Sequence, residues 1–199
     1  EEFDLVVTNP PWELLKPDSR ELKQLEDKEK EAYILSMKDY DLFLSKEYPA
    51  SQPKRKFAGW GTNLSRVGAE LGHRLLKKNG YCCFVLPASF FADDQSSLIR
   101  KEIISNSQIL DLAYYPAEAR LFEKADVSSS SVTYKKINKA GKKTKLTIFD
   151  KSLKVKSSGE VLLKQDENED FMIPITLGPK AVEVLNKIKK DIPSWHEVE

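Results

Sequence analysis

Hydrophobic positions fall into short blocks that switch between two spacings. Phe3-Asp4-Leu5-Val6-Val7-Thr8 is a β-branched apolar run halted by Asn9-Pro10-Pro11, the pattern of a buried strand ending in a rigid turn. From Glu13 to about Tyr48, Lys and Glu dominate, with Leu22, Leu25, Ala32 and Leu35 at near-helical spacing; one or two exposed helices are predicted there. Ala50 to Gly61, with Pro53, Lys54, Arg55, Lys56, Gly59 and Gly61, reads as a basic loop. Thr62 to Lys78 gives the clearest helix: Leu64, Val67, Leu71 and Leu75 share a face, Lys77 and Lys78 fill the last turn, and Asn79-Gly80 supplies a stop. Tyr81 to Leu86 is a buried strand closed by Pro87, after which Asp93 or Asp94 can cap a helix bearing Leu98, Ile99 and Ile103. Ile109 to Tyr115 and Val127 to Ile137 are further strands, and Leu146 to Asp150 is expected to pair with the second of them across the intervening loop. Gly178-Pro179 opens a last helix with Val182, Leu185 and Ile188 on one face.

This alternation predicts an α/β fold with a mostly parallel sheet, an antiparallel hairpin at one edge, and helices on both faces. Beyond Lys151 the composition turns to Lys, Ser, Glu and Asp, so residues 1–150 are expected to hold the sheet, with 13–60 a charged helical insert, and 151–199 to be a linker and the start of something further. The 199 residues, 40% hydrophobic and 32% charged, suit one soluble domain or slightly more and exclude collagen, coiled coil and membrane spans. A cytoplasmic location is the default. With Lys plus Arg 32 against Asp plus Glu 31, no overall cationic field draws the chain to nucleic acid; any basic surface is local. Lys54, Arg55 and Lys56 beside Phe57 and Trp60 are the candidates for phosphate contact and stacking, against the plainer reading of a solvated loop. Cys82 and Cys83 are neighbours in an apolar run and read as reduced core residues. His73 and His196 have no partner by spacing, so no metal site is expected.

The chemistry concentrates at Asn9-Pro10-Pro11-Trp12, on the carboxyl end of a buried strand, where open α/β sheets bind ligands. The Asn9 side-chain oxygen and the Pro10 carbonyl are two acceptors able to converge on one NH2 group, and Trp12 adds a flat face that can stack on a ring. An exocyclic amine conjugated to an aromatic base is a poor nucleophile. Two acceptors holding its protons while the nitrogen pyramidalises would stabilise positive charge developing in the transition state.

These residues resemble the S-adenosylmethionine-dependent amino-methyltransferases, in particular the DNA adenine-N6 methyltransferases with an Asn-Pro-Pro-aromatic motif found in the methylase part of type II restriction–modification enzymes. Gly61-Thr62-Asn63-Leu64, Leu75-Leu76-Lys77-Lys78-Asn79-Gly80-Tyr81, Val85-Leu86-Pro87-Ala88-Ser89-Phe90 and Leu121-Phe122-Glu123-Lys124-Ala125-Asp126-Val127-Ser128 are similar to later segments of the same family. The resemblance covers roughly residues 3–137. It implies a Rossmann-like methyltransferase sheet, S-adenosylmethionine as methyl donor, double-stranded DNA as substrate, catalysis at Asn9, Pro10, Pro11 and Trp12, and base contacts from Trp12 and Phe122. The family's aromatic-x-Gly-x-Gly cofactor loop does not occur in the sequence. The chain is therefore expected to be the C-terminal half of a catalytic domain, followed by the start of a target-recognition region. Its cofactor contacts and first strands would come from an N-terminal half or a partner subunit, and the first strand would leave an apolar edge prone to self-association. RNA or protein-glutamine methylation is the rival of the same chemistry; a non-catalytic DNA-binding or assembly module of a restriction system is the rival of another class.

Overall fold

The computed structural model describes residues 2–55, 60–122, 126–137, 143–163 and 171–191. Its strands are β1 (Phe3–Thr8), β2 (Leu76–Pro87), β3 (Ser107–Tyr115), β4 (Ser129–Lys136), β5 (Lys143–Phe149) and β6 (Val155–Leu162). Its helices are α1 (Ser19–Leu22), α2 (Asp27–Glu47), α3 (Leu64–Arg74), α4 (Ser97–Ser105) and α5 (Pro179–Asp191). All six strands join one sheet in the order β1-β2-β4-β3-β5-β6.

The α/β class holds. Parallel pairing is met in β1–β2 and β3–β5, and the antiparallel part is larger than one edge hairpin because β4 runs against both β2 and β3. Since β4 has both edges filled, the expected pairing of residues 146–150 with 127–137 does not form. Instead β5 lies beside β3, with Leu146 opposite Leu112. The edge hairpin is β5–β6, closed by Asp150, whose Oδ1 accepts the Ser152 and Lys154 amides at 2.8 and 3.0 Å. The stretch beyond Lys151, expected as linker, supplies β6 to the sheet and α5 against it. Pro179 starts α5, as its position predicts.

A second difference concerns the end of α3. It stops at Arg74 rather than Lys78, and β2 begins at Leu76, which is fully buried. Lys77 to Gly80 bulge out between the pairs Phe3–Leu76 and Leu5–Tyr81, with Asn79 in the left-handed region at φ 69°. Gly80 is needed for a close approach: a Cβ there would lie 3.0 Å from the Asp4 carbonyl oxygen. The Lys-Lys-Asn-Gly signal that reads as a helix stop is thus a bulge inside a strand.

The core lies on the face carrying Cys82, Phe84, Leu86, Leu112, Val132 and Leu146, packed with Ala69 of α3, Ile99 and Ile103 of α4 and Val182 of α5. The opposite face is exposed where β1 meets β2. On that side Leu5 and Val7 are 62% and 68% exposed, and Tyr81 is exposed beside them. No described helix is long and apolar enough to cross a membrane.

His73 shows what burial does to the chemistry of this core. Its Nδ1 is 3.1 Å from the Tyr134 hydroxyl, and Lys136 Nζ donates to the carbonyls of His73 and Leu76 at 2.9 and 2.7 Å, capping the end of α3. Burial, aided by the Lys136 charge, pushes His73 down to about 4, and burial pushes the Cys82 thiol up to about 12. Both are neutral packing residues near neutral pH. An unfolded-state histidine titrates near 6.5, so between 6.5 and about 4 the unfolded chain binds a proton the fold excludes. Stability should therefore fall as pH drops through that window, by up to about 3 kcal/mol. Glu70, raised by its own burial, opposes the trend. Urea unfolding between pH 7 and 4.5 checks this, and the slope should flatten in His73→Gln.

Candidate active site

β1 delivers Asn9-Pro10-Pro11-Trp12 at its carboxyl end, level with the end of its parallel neighbour β2, where Thr8 pairs with Phe84. Asn9 is exposed, Pro10 buried and Trp12 half-buried. The two consecutive prolines fix φ at residues 10 and 11, so the Pro10 carbonyl is presented beside Asn9 with less of the entropy loss of ordering a flexible loop.

Helix α3 seats this turn. Gly68 faces Pro10 so closely that a Cβ at residue 68 would lie 2.4 Å from the Pro10 Cβ. After Trp12 the chain zips onto the segment that starts α3: Leu64 N donates to Glu13 O at 2.8 Å, Leu15 N donates to Thr62 O at 2.9 Å, and Leu14 bridges Asn63. Asn63 caps α3 by accepting the Ser65 amide at 2.9 Å. A buried polar cluster ties the insert to the same helix. Arg66 Nε donates to Ser51 O at 2.9 Å and its guanidinium also reaches Gly61 O, while Glu70 accepts the Ser51 amide at 2.6 Å and pairs with Arg74. Burial lowers the Arg66 pKa and raises that of Glu70. Each charge is compensated by backbone partners, as buried ionic groups require. α2 closes over this region through Leu44, packed with Leu15 and Val67.

Phe122 arrives from a different part of the chain, the arm between β3 and β4. Its ring meets Trp12 edge to face, with centroids 5.2 Å apart and planes at 79°. Two residues earlier Arg120 holds a left-handed conformation, φ 46° and ψ 51°, at the end of a short 3-10 turn, Ala117–Ala119. The ends of β2 and β4 are stitched together alongside: Ala88 N donates to Ser128 O at 2.9 Å, and Ser130 Oγ to Leu86 O at 3.0 Å. Between these ends lies an apolar cavity of about 450 Å³, with Ser89, Tyr114, Ser128 and Ile175 in its wall.

The structure thus places Asn9, Pro10 and Pro11 in one turn and brings Trp12 and Phe122 into contact. The two rings meet edge to face. Lys54 and Arg55 are exposed beyond the 3-10 turn Pro49–Ser51, and Lys56 lies outside the described residues. Gly68, Arg66 and Glu70 are not singled out by the sequence pattern, although Arg66 and Glu70 both bind Ser51 and Glu70 pairs with Arg74. The available signal was a glycine inside a helical pattern and the i,i+4 spacing of Glu70 and Arg74. Among the described residues no cluster of His, Cys, Asp or Glu suits a metal ion.

No curated protein matches the chain. Among solved structures it is similar to a nuclease-deletion mutant of the Type ISP restriction-modification enzyme LlaGI in complex with a DNA substrate mimic, with TM-score 0.53 and 11% identity over 83% of this chain and 15% of that chain. It is also similar to the DrdV–DNA complex seen by cryoEM, with TM-score 0.52 and 15% identity over 84% of this chain and 18% of that chain. At these identities the likeness shows the fold, and the chain spans only those small shares of the lengths it matches. The profile of the Eco57I restriction-modification methylases matches residues 1–122, which take in β1, the Asn-Pro-Pro-Trp turn, α3, β2, β3 and Phe122. The chain belongs to the Eco57I restriction-modification methylase family.

Proposed function

We propose that this chain carries the base-facing part of a DNA adenine-N6 methyltransferase of a restriction–modification system, acting on an adenine flipped out of duplex DNA. The observation that supports it most is the meeting of Trp12, in the turn after β1, with Phe122, from the arm after β3: two segments distant in sequence converge an amine-binding turn and an aromatic pair on one edge of the sheet. Flipping is required by access, since a stacked adenine cannot present N6 in line with a methyl donor. Asn9 Oδ1 and the Pro10 carbonyl accept the two N6 protons and stabilise the charge that grows on nitrogen. Trp12 and Phe122 hold the ring and offset part of the few kcal/mol of unstacking. Lys54, Arg55 and Lys56 contact the DNA backbone in this reading.

S-adenosylmethionine supplies the methyl group in this reading. No described residue is assigned to hold it: the glycine-rich loop is absent from the sequence, and β1, at the margin of the sheet, has a free edge. That edge, with exposed Leu5 and Val7, takes the strands that complete the domain, supplied by a further segment or a partner subunit; unpaired, it favours self-association. A second reading is an assembly or DNA-binding module of a restriction system that performs no transfer. Co-expressing the chain with a polypeptide carrying the loop and the remaining strands, and assaying methyl transfer to duplex DNA, separates the two. Transfer should appear only when both are present and should be suppressed by Val7→Lys, which places a charge in the joint. A well-formed complex that binds DNA and methylates nothing supports the second reading.

A further inference from the structure

We infer that the outward face of α2 docks a second copy of this chain, the two helices lying antiparallel about a two-fold axis between Lys38 and Asp39. This goes beyond the base-binding reading and does not depend on it. α2 is anchored through Leu44, which packs with Leu15 and Val67 beside the half-buried Met37. That contact uses one apolar side of the helix and leaves another. Leu35, Tyr40, Leu42 and Phe43 are 60%, 48%, 51% and 55% exposed, and the Tyr40 and Phe43 rings stack with centroids 6.4 Å apart. Single exposed apolar residues are ordinary, whereas four on one helix form the kind of patch that marks an interaction surface.

The charges beside the leucines point to the occupant. Glu31, Leu35, Lys38, Asp39, Leu42 and Lys46 are all exposed and recur at spacings of three and four, which sets them on one stripe of the helix. None of the four charged residues forms an ion pair with another described residue. In an antiparallel pair centred between Lys38 and Asp39, Leu35 lies level with Leu42 of the second copy, Glu31 with its Lys46, and Lys38 with its Asp39. Symmetry repeats each contact. Other arrangements fail: centring on Leu35 sets Glu31 against Asp39, centring on Leu42 sets Lys38 against Lys46, and a parallel pair sets every charge against itself. Like charges at one level act against those arrangements. The leucines thus supply the burial and the charges the register, since exposed ion pairs add little affinity yet discriminate orientation. A helix of 21 residues, about 30 Å long, offers less area than a standard interface, so the dimer is transient, with Kd on the order of 10 μM.

The test is sedimentation velocity of the full chain carrying Val7→Lys, which charges the free edge of β1 and so removes the other route to self-association. Across roughly 1 to 100 μM this chain should pass from monomer to dimer. Leu35→Glu and Leu42→Glu should each hold it monomeric. Glu31→Lys and Lys46→Glu should each weaken the dimer about tenfold, and the two changes combined should restore it. All four residues are exposed, and far-UV circular dichroism of each variant separates loss of fold from loss of contact. A Val7→Lys chain that stays monomeric throughout overturns the proposal and leaves this face to a different occupant. A dimer that survives both leucine changes is held elsewhere, which also overturns it. If the combined charge reversal fails to restore what the single reversals lose, the antiparallel register is overturned.

Discussion

Replacing Asn9 with alanine should reduce methyl transfer by the reconstituted enzyme by about 10²-fold or more, while leaving DNA affinity close to that of the parent. The size follows from the role. A preorganised acceptor aimed at charge that exists only in the transition state acts on the chemical step, and loss of one such group elsewhere costs about 10² to 10³ in kcat. Asn9 is exposed and lies outside the core, so the substitution should leave thermal stability unchanged within about 0.5 kcal/mol. Asn9→Asp keeps an acceptor oxygen in place and should retain more activity than alanine. Single-turnover methylation at saturating DNA, beside a DNA-binding titration, checks both parts. An alanine variant that methylates at the parental rate would remove Asn9 from the mechanism, and one that simply stops binding DNA would make it a substrate anchor.

The second large effect is expected at Gly68. An alanine methyl there falls 2.4 Å from the Pro10 Cβ and 3.2 Å from its Cγ, distances that require α3 or the turn to shift. Overpacking of this kind costs about 1–3 kcal/mol even after the gain in helix propensity from replacing glycine. The energy is not the only readout, because the displaced atoms belong to the turn that presents Asn9. A shift near 1 Å in a reacting group can cost about 10²-fold in rate. Gly68→Ala should therefore lower the melting temperature by several degrees and also lower turnover at temperatures where the protein is fully folded. Leu71→Ala, on the same helix at an exposed position, should do neither.

Local chemistry explains which features were legible from the sequence. β1 and its turn were readable because a β-branched run and two prolines act within a few residues, and Pro179 marked α5 for the same reason. The end of α3 was misread because Lys77, Lys78, Asn79 and Gly80 carry every helix-stop signal. Tertiary burial of Leu76 overrides them by drawing the segment into the sheet. The partner of β5 was beyond reach of local pattern. Leu146 pairs with Leu112 rather than with β4 because β2 and β3 already occupy both edges of β4, a property of the whole sheet. In the site, Asn9 through Trp12 announced themselves, whereas Phe122 was identified by resemblance alone, and its edge-on contact with Trp12 required coordinates.

The antiparallel seating of β4 against β3 bears on how such a site can diversify. Both ends of the arm that carries Phe122 are anchored in adjacent strands, at Tyr115 and Ser129, which pair with each other. Lengthening such a loop adds only about 0.6 kcal/mol of closure entropy per doubling, and it disturbs no register in the sheet. The arm can thus gain, lose or exchange residues at small thermodynamic cost, whereas the proline turn beneath Trp12, locked to a helix glycine, tolerates almost no change. If the proposed base contacts hold, substrate preference should be easier to alter by remodelling residues 116–128 than by changing residues 9–12, whose proline packs against Gly68.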